Sequence, residues 1–322
     1  MTTVARRVDP SRLRRALRRP ADALPRASIA TVPILWNNVD LPDLVPPVDA
    51  ATVLDEIART GYEGTQFGNG FPLGDDLRAM LEERDLRLAE VYASIPCSTD
   101  GPPDGALDGL RERLAILHDA RGDVLVIALD GTPERSRASG RTTEPGTSRL
   151  TDDGWRRLGG LVDAIVAETV AAGHPIAFHP HTGTFVENPD EMDRLLAAVT
   201  DERVGICLDV GHWTVGGGDP VEALRRYGQR VTHVHLKDVD ADVLAELHAG
   251  RVPDFGAAIR ARLFTELGAG VIDLPAILEL LAKRGYDGWL MVEQDSSWGP
   301  PAEAAAIGRR VLAAELRRLG AR

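Results

Sequence analysis

Short apolar runs alternate with amphipathic segments along nearly the whole chain. Eight runs have the length and composition of buried strands: 29–35, 64–68, 87–95, 123–129, 176–180, 204–209, 231–236 and 289–293. Between them, apolar residues recur at spacings of three and four, which predicts helices over 51–61, 75–85, 107–122, 155–173, 190–200, 220–228, 274–285 and 301–319. Gly61 is a stop signal for the first helix. Eight strand–helix units predict an α/β fold, a (β/α)8 TIM barrel.

These units account for one domain, residues 28–322, preceded by a basic N-terminal extension over residues 1–27. No G-x-G-x-x-G sequence follows the first strand, which argues against an open dinucleotide-binding sheet. Two connections, 130–152 and 239–272, are unusually long, and long loops after barrel strands are typically lids or binding loops. The first is polar and rich in Gly and Pro, so we expect it to be mobile when the site is empty.

The extension and the body carry opposite charge. Residues 1–27 hold eight arginines and two aspartates, whereas the rest holds 29 of the 37 basic and 47 of the 49 acidic residues, a net charge of −18. This acidic body argues against a nucleic-acid partner, because binding to phosphates needs cations. No apolar run approaches the roughly 20 residues that span a bilayer, and the extension lacks the apolar stretch of a secretory signal. Two distant cysteines favour a reduced, cytoplasmic protein.

Metal-type side chains follow the last four apolar runs, which read AFHPHTG, GICLDVGHW, VTHVHLKD and WLMVEQD. Residues two apart on a strand share a face, so each run presents its polar side chains together. The residues placed in this way are His179 with His181, Cys207 with Asp209, His233 with His235 and Lys237, and Glu293 alone. Barrel active sites lie at the C-terminal ends of the strands. These imidazoles and carboxylates therefore predict one divalent metal site.

Several of these residues also have a structural interpretation. Asp209 could cap the next helix, although a neighbouring histidine and glycine favour metal binding. His233 lies deeper in its strand and is expected to be a core histidine, and Cys207 a small buried apolar residue. Glu187 follows a Gly-Thr turn and is expected to face solvent or the lid. Asp238 points away from the site and is expected to make a structural hydrogen bond.

Seven segments resemble the sugar isomerase/epimerase superfamily, whose members have a xylose isomerase-like barrel. They are PILWNN, GYEGTQFG, HPHTGT, DVGH, HVHLKDVD, FTELGAGVIDL and GWLMVEQD, and they extend over roughly residues 28–316. DVGH and HVHLKD are specific to the superfamily. The H-x-H-x-G-T run together with W-N-N is similar to its inosose (2-keto-myo-inositol) dehydratases.

The resemblance implies a metal quartet with catalytic and substrate-binding residues around it. The implied ligands are His179, Asp209, His235 and Glu293, of which His179 stands where the superfamily usually has a carboxylate. The catalytic candidates are His181, His212, Glu293 and Lys237, and the substrate-binding candidates are Trp36, Asn37, Gln66, Trp213 and Trp298. Gln66 replaces a glutamate that is usual in the dehydratases. Mixed oxygen and imidazole donors favour Mn²⁺ or Co²⁺, with Zn²⁺ as a third option.

Histidine at position 179 changes the expected chemistry. A metal-bound imidazole has no free lone pair, so only Glu293 remains of the two carboxylates that shuttle protons in related epimerases. A reaction with one base and a separate acid fits better, namely elimination of water from a β-hydroxy ketone with the metal as Lewis acid. The expected substrate is a keto-polyol such as 2-keto-myo-inositol, or a related keto-sugar or 3-keto-glycoside. The sequence assigns neither the base nor the acid.

Three alternatives remain open. A sugar isomerase or epimerase of the same superfamily would need a second proton-transfer group in place of the missing carboxylate. An abasic-site endonuclease shares the barrel, but it would need more metal ligands and a basic groove. A non-catalytic sugar-binding barrel is disfavoured because the metal set is complete. Assembly into a homo-oligomer is also left open.

Overall fold

Eight parallel strands close into a barrel in the computed structural model, which describes residues 23–39, 41–44 and 46–321. In chain order the strands are β1 (Ser28–Thr31), β2 (Gly64–Gln66), β3 (Arg87–Ile95), β4 (Val124–Leu129), β5 (Ile176–Phe178), β6 (Gly205–Asp209), β7 (Val231–Leu236), β8 (Asp238–Val239), β9 (Phe264–Thr265) and β10 (Trp289–Val292). β8 and β9 form a separate antiparallel pair, and β10 closes the barrel between β7 and β1. The predicted (β/α)8 fold is confirmed.

Helices surround the barrel and connect its strands. They are α1 (Ala50–Arg59), α2 (Gly74–Glu83), α3 (Ala106–Asp119), α4 (Pro133–Arg137), α5 (Asp152–Ala171), α6 (Pro189–Ala198), α7 (Val210–Val215), α8 (Pro220–Tyr227), α9 (Ala241–His248), α10 (Phe255–Arg260), α11 (Leu274–Lys283) and α12 (Pro301–Gly320). Asp49 caps α1 by accepting the N–H of Thr52 at 3.0 Å, and Gly61 follows with a φ of 85°. None of these helices is long and apolar enough to cross a bilayer.

The strand β5 is shorter than predicted and ends before its histidines. Phe178 is its last residue, and Pro180, which has no N–H to donate, lies two residues further on. His179 and His181 therefore stand in the turn after the strand. The N–H of His181 donates to the carbonyl oxygen of Val186 at 2.9 Å and fixes this turn. Both imidazoles still face the same cavity.

An irregularity in sheet register changes which side chains of β3 enter the barrel. Thr65 of β2 pairs with Leu88, but the next residue, Gln66, pairs with Glu90, so that Ala89 is skipped. A bulge of this kind shifts the in–out alternation by one position. It places the Glu90 carboxylate inside the barrel, where it meets two histidines of β7.

A mostly small-residue apolar cluster lies inside the barrel, and a much larger one lies between strands and helices. The inner cluster includes Ala30, Val126, Ala177 and Cys207, all fully buried, together with the larger Trp289 and Met291. Cys207 is thus a small buried residue, as predicted. Small residues leave room above them for the polar side chains at the strand ends.

The predicted N-terminal extension divides into two parts. Leu24 and Ala27 are buried in the main core, and the Arg26 guanidinium donates to the carbonyl oxygen of Gly285 at 3.1 Å. Residues 23–27 therefore pack against the barrel. Residues 1–22, which carry most of the arginines of the predicted basic arm, lie outside the described residues.

The first long loop, predicted to be mobile when the site is empty, is anchored at several points in the structure. Arg135 of α4 is fully buried and pairs with Glu191 of α6 at 2.8 Å. Further along the loop, the side chain of Asn188 donates to Thr142 at 2.9 Å. These contacts tie the loop to the start of α6, beside the cavity.

The second long loop folds into α9, α10 and the β8–β9 pair. The carboxylate of Asp238 accepts N–H groups from Val239, Gly268 and Ile272 at 2.7–3.0 Å. The prediction of a structural hydrogen bond for Asp238 is confirmed. This loop carries Phe255 and Phe264 over the histidines at the barrel mouth.

Glu187 makes the stability of the first loop depend on pH. It is fully buried, so of the two predicted alternatives, solvent or the lid, the structure shows the second: Glu187 faces the first long loop. Its carboxylate accepts N–H groups from Gly183 at 2.6 Å and Gly140 at 2.7 Å, but burial outweighs both and raises its pKa to about 7. Between its ordinary pKa of 4.5 and 7, the folded chain holds a proton that the unfolded chain has released.

The free energy of unfolding should therefore fall as pH rises through this window, by about 3 kcal/mol from this group alone. Urea unfolding of the wild type and of Glu187→Gln between pH 5 and pH 8 measures the effect, because subtracting the two curves removes every other titration. A difference between the two chains that does not change with pH would contradict this account of Glu187.

Candidate active site

A cavity of about 450 Å³ opens at the C-terminal mouth of the barrel. Its walls include the three imidazoles His179, His181 and His235 and the carboxylate Glu293, which come from the ends of β5, β7 and β10. The opposite part of the wall comes from the loops after β1 and β2. The volume suits a small polar molecule of the size of a monosaccharide.

The four predicted metal ligands converge at the floor of this cavity. Asp209 Oδ2 lies 3.6 Å from His179 Nε2 and 3.8 Å from His235 Nδ1, and His235 Nδ1 lies 2.6 Å from Glu293 Oε2. Ligand atoms of Asp209, His235 and Glu293 all lie within 4.8 Å of one another. The sequence prediction required side chains from four separate strands to meet, and the structure brings them together.

An unpaired carboxylate oxygen shows that this cluster suits a cation. Asp209 Oδ2 is buried, has no hydrogen-bond partner among the described residues, and lies 3.6 Å from His179 Nε2 and 3.4 Å from Lys237 Nζ. Buried polar atoms are normally paired, so an unpaired anionic oxygen that faces two imidazoles indicates room for a further interaction. Two imidazoles and two carboxylates form a donor set that divalent metals such as zinc or manganese accept.

The Asp209 carboxylate caps the next helix with one oxygen and turns the other toward the candidate ligands, so the two interpretations left open by the sequence are compatible. Oδ1 accepts the N–H of His212 at 2.8 Å and caps α7, while Oδ2 faces the imidazoles. Burial disfavours ionisation of Asp209, but Lys237, His212 and His179 outweigh it and hold its pKa well below the usual range. The carboxylate is thus charged and fixed in direction.

His181 and His212 form a stacked pair beside the metal cluster, with ring centroids 3.8 Å apart. His181 Nδ1 lies 2.9 Å from the carbonyl oxygen of Thr182, so that nitrogen carries the proton and Nε2 carries the lone pair. Burial, together with His179 and Lys237, lowers the pKa of His181 to about 3. The ring is therefore neutral at physiological pH.

His212 and Lys237 lie behind the cavity wall rather than on its surface. Lys237 Nζ is 2.9 Å from His212 Nε2, 3.1 Å from Glu293 Oε1 and 2.6 Å from Asp295 Oδ1. Burial opposes its charge, but the surrounding carboxylates raise its pKa well above the usual range. Lys237 is thus a permanent cation that donates to His212 and to the carboxylates.

The predicted substrate-binding residues fall into two groups. Asn37 and Gln66 line the cavity. Trp36, Trp213 and Trp298 are absent from the described residues that line it. Trp36 is buried and its Nε1–H donates to Glu56 Oε2 at 2.6 Å, whereas Trp213 packs edge-on against Tyr227.

Trp298 is 41% exposed and stacks under the guanidinium of Arg262 at 5.0 Å, near the mouth of the barrel. In this arrangement the tryptophans support or border the wall, and amide side chains form its surface. The amide of Asn37 is already occupied by both backbone groups of Val48, at 2.7 Å each. Asn37 therefore fixes the loop after β1 beside the cavity.

The structure adds residues that the sequence interpretation missed. Tyr92, Arg113 and Asp130 line the cavity, and Glu90 and Asp295 touch the candidate ligands or Lys237 from behind. Asp295 carried a usable signal, since it stands two residues after Glu293 in VEQD. Tyr92 and Glu90 belong to β3, where Glu90, Tyr92 and Ser94 stand two residues apart; this alternation was a usable signal that the sequence interpretation overlooked.

Comparison with known proteins identifies the family. Residues 54–315 match the family described as xylose isomerase-like TIM barrel. The chain belongs to this family. The xylose isomerase-like protein is 35% identical over 301 residues to the rhizopine catabolism protein MocC of Rhizobium meliloti, covering 91% of this chain and 89% of the other. It is 31% identical over 291 residues to an inosose dehydratase of Lacticaseibacillus casei, covering 89% and 97%.

Solved structures share the fold of this xylose isomerase-like protein. The IOLI protein, whose crystal structure contains a zinc atom, superposes with a TM-score of 0.63 at 13% identity, over 90% of this chain and 98% of the other. A probable 3-DHS dehydratase, AsbF of Bacillus anthracis, superposes with a TM-score of 0.65 at 13% identity, over 88% and 98%. At this identity the likeness concerns the fold alone.

Proposed function

We propose that this protein is a metal-dependent lyase that eliminates water from a small keto-polyol, with 2-keto-myo-inositol as the substrate to test first. One observation carries the choice of reaction: His181 lines the cavity with an imidazole whose Nε2 is free to accept a proton, next to the four metal-type donors. The relatives named inosose dehydratase support the choice of substrate class.

The proposed site divides its tasks between two groups of residues. His179, Asp209, His235 and Glu293 would hold one divalent ion, Mn²⁺ or Co²⁺ in first place and Zn²⁺ as a third option. When bound, such an ion stabilises negative charge on a ketone oxygen as a Lewis acid. Glu293 is paired through both oxygens, to His235 and Lys237, which leaves His181 as the proton acceptor.

In the proposed reaction His181 Nε2 accepts the proton from the carbon next to the ketone. The bond between the neighbouring carbon and its hydroxyl oxygen then breaks, and protonated His181 gives its Nε2 proton to that hydroxyl, which leaves as water. One residue thus takes both parts that the sequence analysis expected of a base and a separate acid. The product is an unsaturated ketone, and His181 returns to its neutral form. His212 and Lys237 position His181 from behind the cavity wall. The His212 ring stacks on His181 and holds it in place, and Lys237 in turn donates a hydrogen bond to His212.

The direct test is incubation of the purified protein with 2-keto-myo-inositol and Mn²⁺, followed by mass spectrometry. We expect a product that has lost the mass of one water, and no product when a chelator removes the metal. Turnover that is unaffected by the chelator would contradict metal dependence. An unchanged substrate in the presence of metal would contradict the substrate class.

A second candidate, a sugar epimerase, is favoured by one observation. Asp130, at the end of β4, places a further carboxylate on the cavity wall. Such a group could act as the second proton-transfer residue that inversion of a carbon requires. Epimerisation leaves the mass unchanged in H₂O but incorporates deuterium in D₂O, so mass spectra recorded in both solvents separate the two candidates from each other and from an inactive protein.

We also propose a cytoplasmic location for the protein. Cys97 and Cys207 are both free thiols, which is compatible with a reducing compartment.

A further inference from the structure

Glu90 is a buried carboxylate directly beneath the candidate metal ligands. It lies in the middle of β3 and is fully buried. The barrel interior also holds a cluster of apolar side chains, which includes Ala89, the neighbour of Glu90 in β3. Because removal of a carboxylate from water costs free energy, an apolar residue would fill this position at lower cost. The charge at Glu90 therefore calls for an explanation.

All the side-chain hydrogen bonds described for Glu90 go to two imidazoles of β7. Its Oε2 lies 2.9 Å from His235 Nε2 and also contacts His233 Nε2, whereas Oε1 has no partner among the described residues. His233 Nδ1 is likewise unpaired, so the His233 proton is on Nε2 and is donated to Glu90. One carboxylate oxygen thus accepts from both rings.

This arrangement determines which nitrogen of His235 faces the metal cluster. Nε2 points down to Glu90, and Nδ1 lies 2.6 Å from Glu293 Oε2 and 3.8 Å from Asp209 Oδ2. We propose that Glu90 is a positioning residue for metal binding: by accepting Nε2–H it fixes the tautomer and the ring orientation of His235, which keeps the Nδ1 lone pair for the metal. Carboxylate–histidine–metal arrangements of this kind strengthen binding elsewhere.

His233 contacts the same carboxylate but has a different role from His235. His233 is fully buried and its ring centroid lies 5.4 Å from that of His235. It does not line the cavity, but its bond to Oε2 holds the carboxylate in place beneath His235. His233 is a core histidine, as expected, but only its Nε2 is paired, and the partner of that nitrogen is the residue that orients a candidate ligand.

The inference rests on the proposed metal site, and a binding measurement tests it without relying on turnover. Mn²⁺ affinity is measured by calorimetry for the wild type and for Glu90→Gln, which keeps the size of the side chain but removes its charge. We expect binding about 10- to 100-fold weaker in Glu90→Gln. Co²⁺ loading should also give a weaker and shifted visible absorption band, because the His235 ring is no longer held.

Glu187→Gln is the matched control, since Glu187 is equally buried and lies outside the metal cluster. It should alter stability but leave Mn²⁺ affinity unchanged. If Glu90→Gln does not fold, Glu90→Asp replaces it; the charge remains, but the shorter side chain cannot reach both rings, and we expect a smaller loss of affinity in the same direction.

The outcomes separate this inference from the proposed function. Equal Mn²⁺ affinity in the wild type and in a folded Glu90 variant would overturn the role of Glu90 and leave the proposed function intact. Absence of Mn²⁺, Co²⁺ and Zn²⁺ binding in the wild type would overturn both. If Glu187→Gln lost as much Mn²⁺ affinity as Glu90→Gln, the loss would follow from removing any buried carboxylate. That result would also overturn the positioning role of Glu90.

Discussion

Replacing Asp209 with asparagine should remove metal binding and turnover together. Asparagine is as good a helix cap as aspartate, so the contact of Oδ1 with the His212 N–H has a substitute and α7 should still form. The substitution removes the negative charge that faces His179 and His235. Residues that only orient a metal ligand already contribute about 10- to 100-fold to metal affinity. We therefore expect loss of a direct ligand to lower that affinity by more than about 100-fold.

Calorimetry with Mn²⁺ and metal analysis of the purified protein measure this effect, and activity on 2-keto-myo-inositol should fall in parallel. Asp219→Asn is a matched control, since Asp219 caps α8 through the same type of hydrogen bond but is exposed. It should keep full metal content and activity. An Asp209→Asn protein that still held one metal per chain would contradict the proposed ligand set.

Replacing His181 with glutamine should abolish turnover but, unlike the Asp209 substitution, should leave metal binding intact. Glutamine can still donate to the Thr182 carbonyl oxygen in place of Nδ1, but its amide cannot accept a proton. We expect kcat to fall by about 10²- to 10⁴-fold, the usual contribution of a positioned acid–base group. Mn²⁺ affinity should stay within a small factor of the wild type, because His181 is outside the ligand set.

Steady-state kinetics with metal in excess measure this change. His174→Gln, in the loop before β5 and paired with His118 of α3, controls for loss of an imidazole elsewhere. A His181→Gln enzyme with normal kcat would show that another cavity residue, with Asp130 as the first choice, performs the proton transfer.

The sequence predicted the barrel and the convergence of its metal-type side chains because both depend on local patterns. Each strand is a buried apolar run, and the metal-type residues follow these runs directly, as with Asp209 after β6 and Glu293 after β10. Parallel strands in a barrel bring such positions to one rim. Because the strands that carry these residues all end at the same rim, their side chains meet in one place.

Features that depend on contacts between distant segments could not be predicted in the same way. Glu90 enters the barrel because the register between β2 and β3 skips one residue, and no local signal marks that bulge. Trp36 resembles a substrate wall in sequence, but a hydrogen bond to Glu56 on α1 holds it behind the cavity. For Glu187 the sequence left solvent and the lid open, and only the folded first loop shows that it is the lid.

The most direct test of the central claim follows the fate of the substrate in D₂O. The protein is incubated with 2-keto-myo-inositol and a catalytic amount of Mn²⁺, the reaction is stopped with a chelator, and the products are analysed by proton NMR. The proposed lyase gives an unsaturated ketone or the diketone that forms from it, with no second epimer. Clean conversion to an epimer that carries solvent deuterium, with no water lost, would contradict the proposed reaction and assign two proton-transfer groups to this cavity.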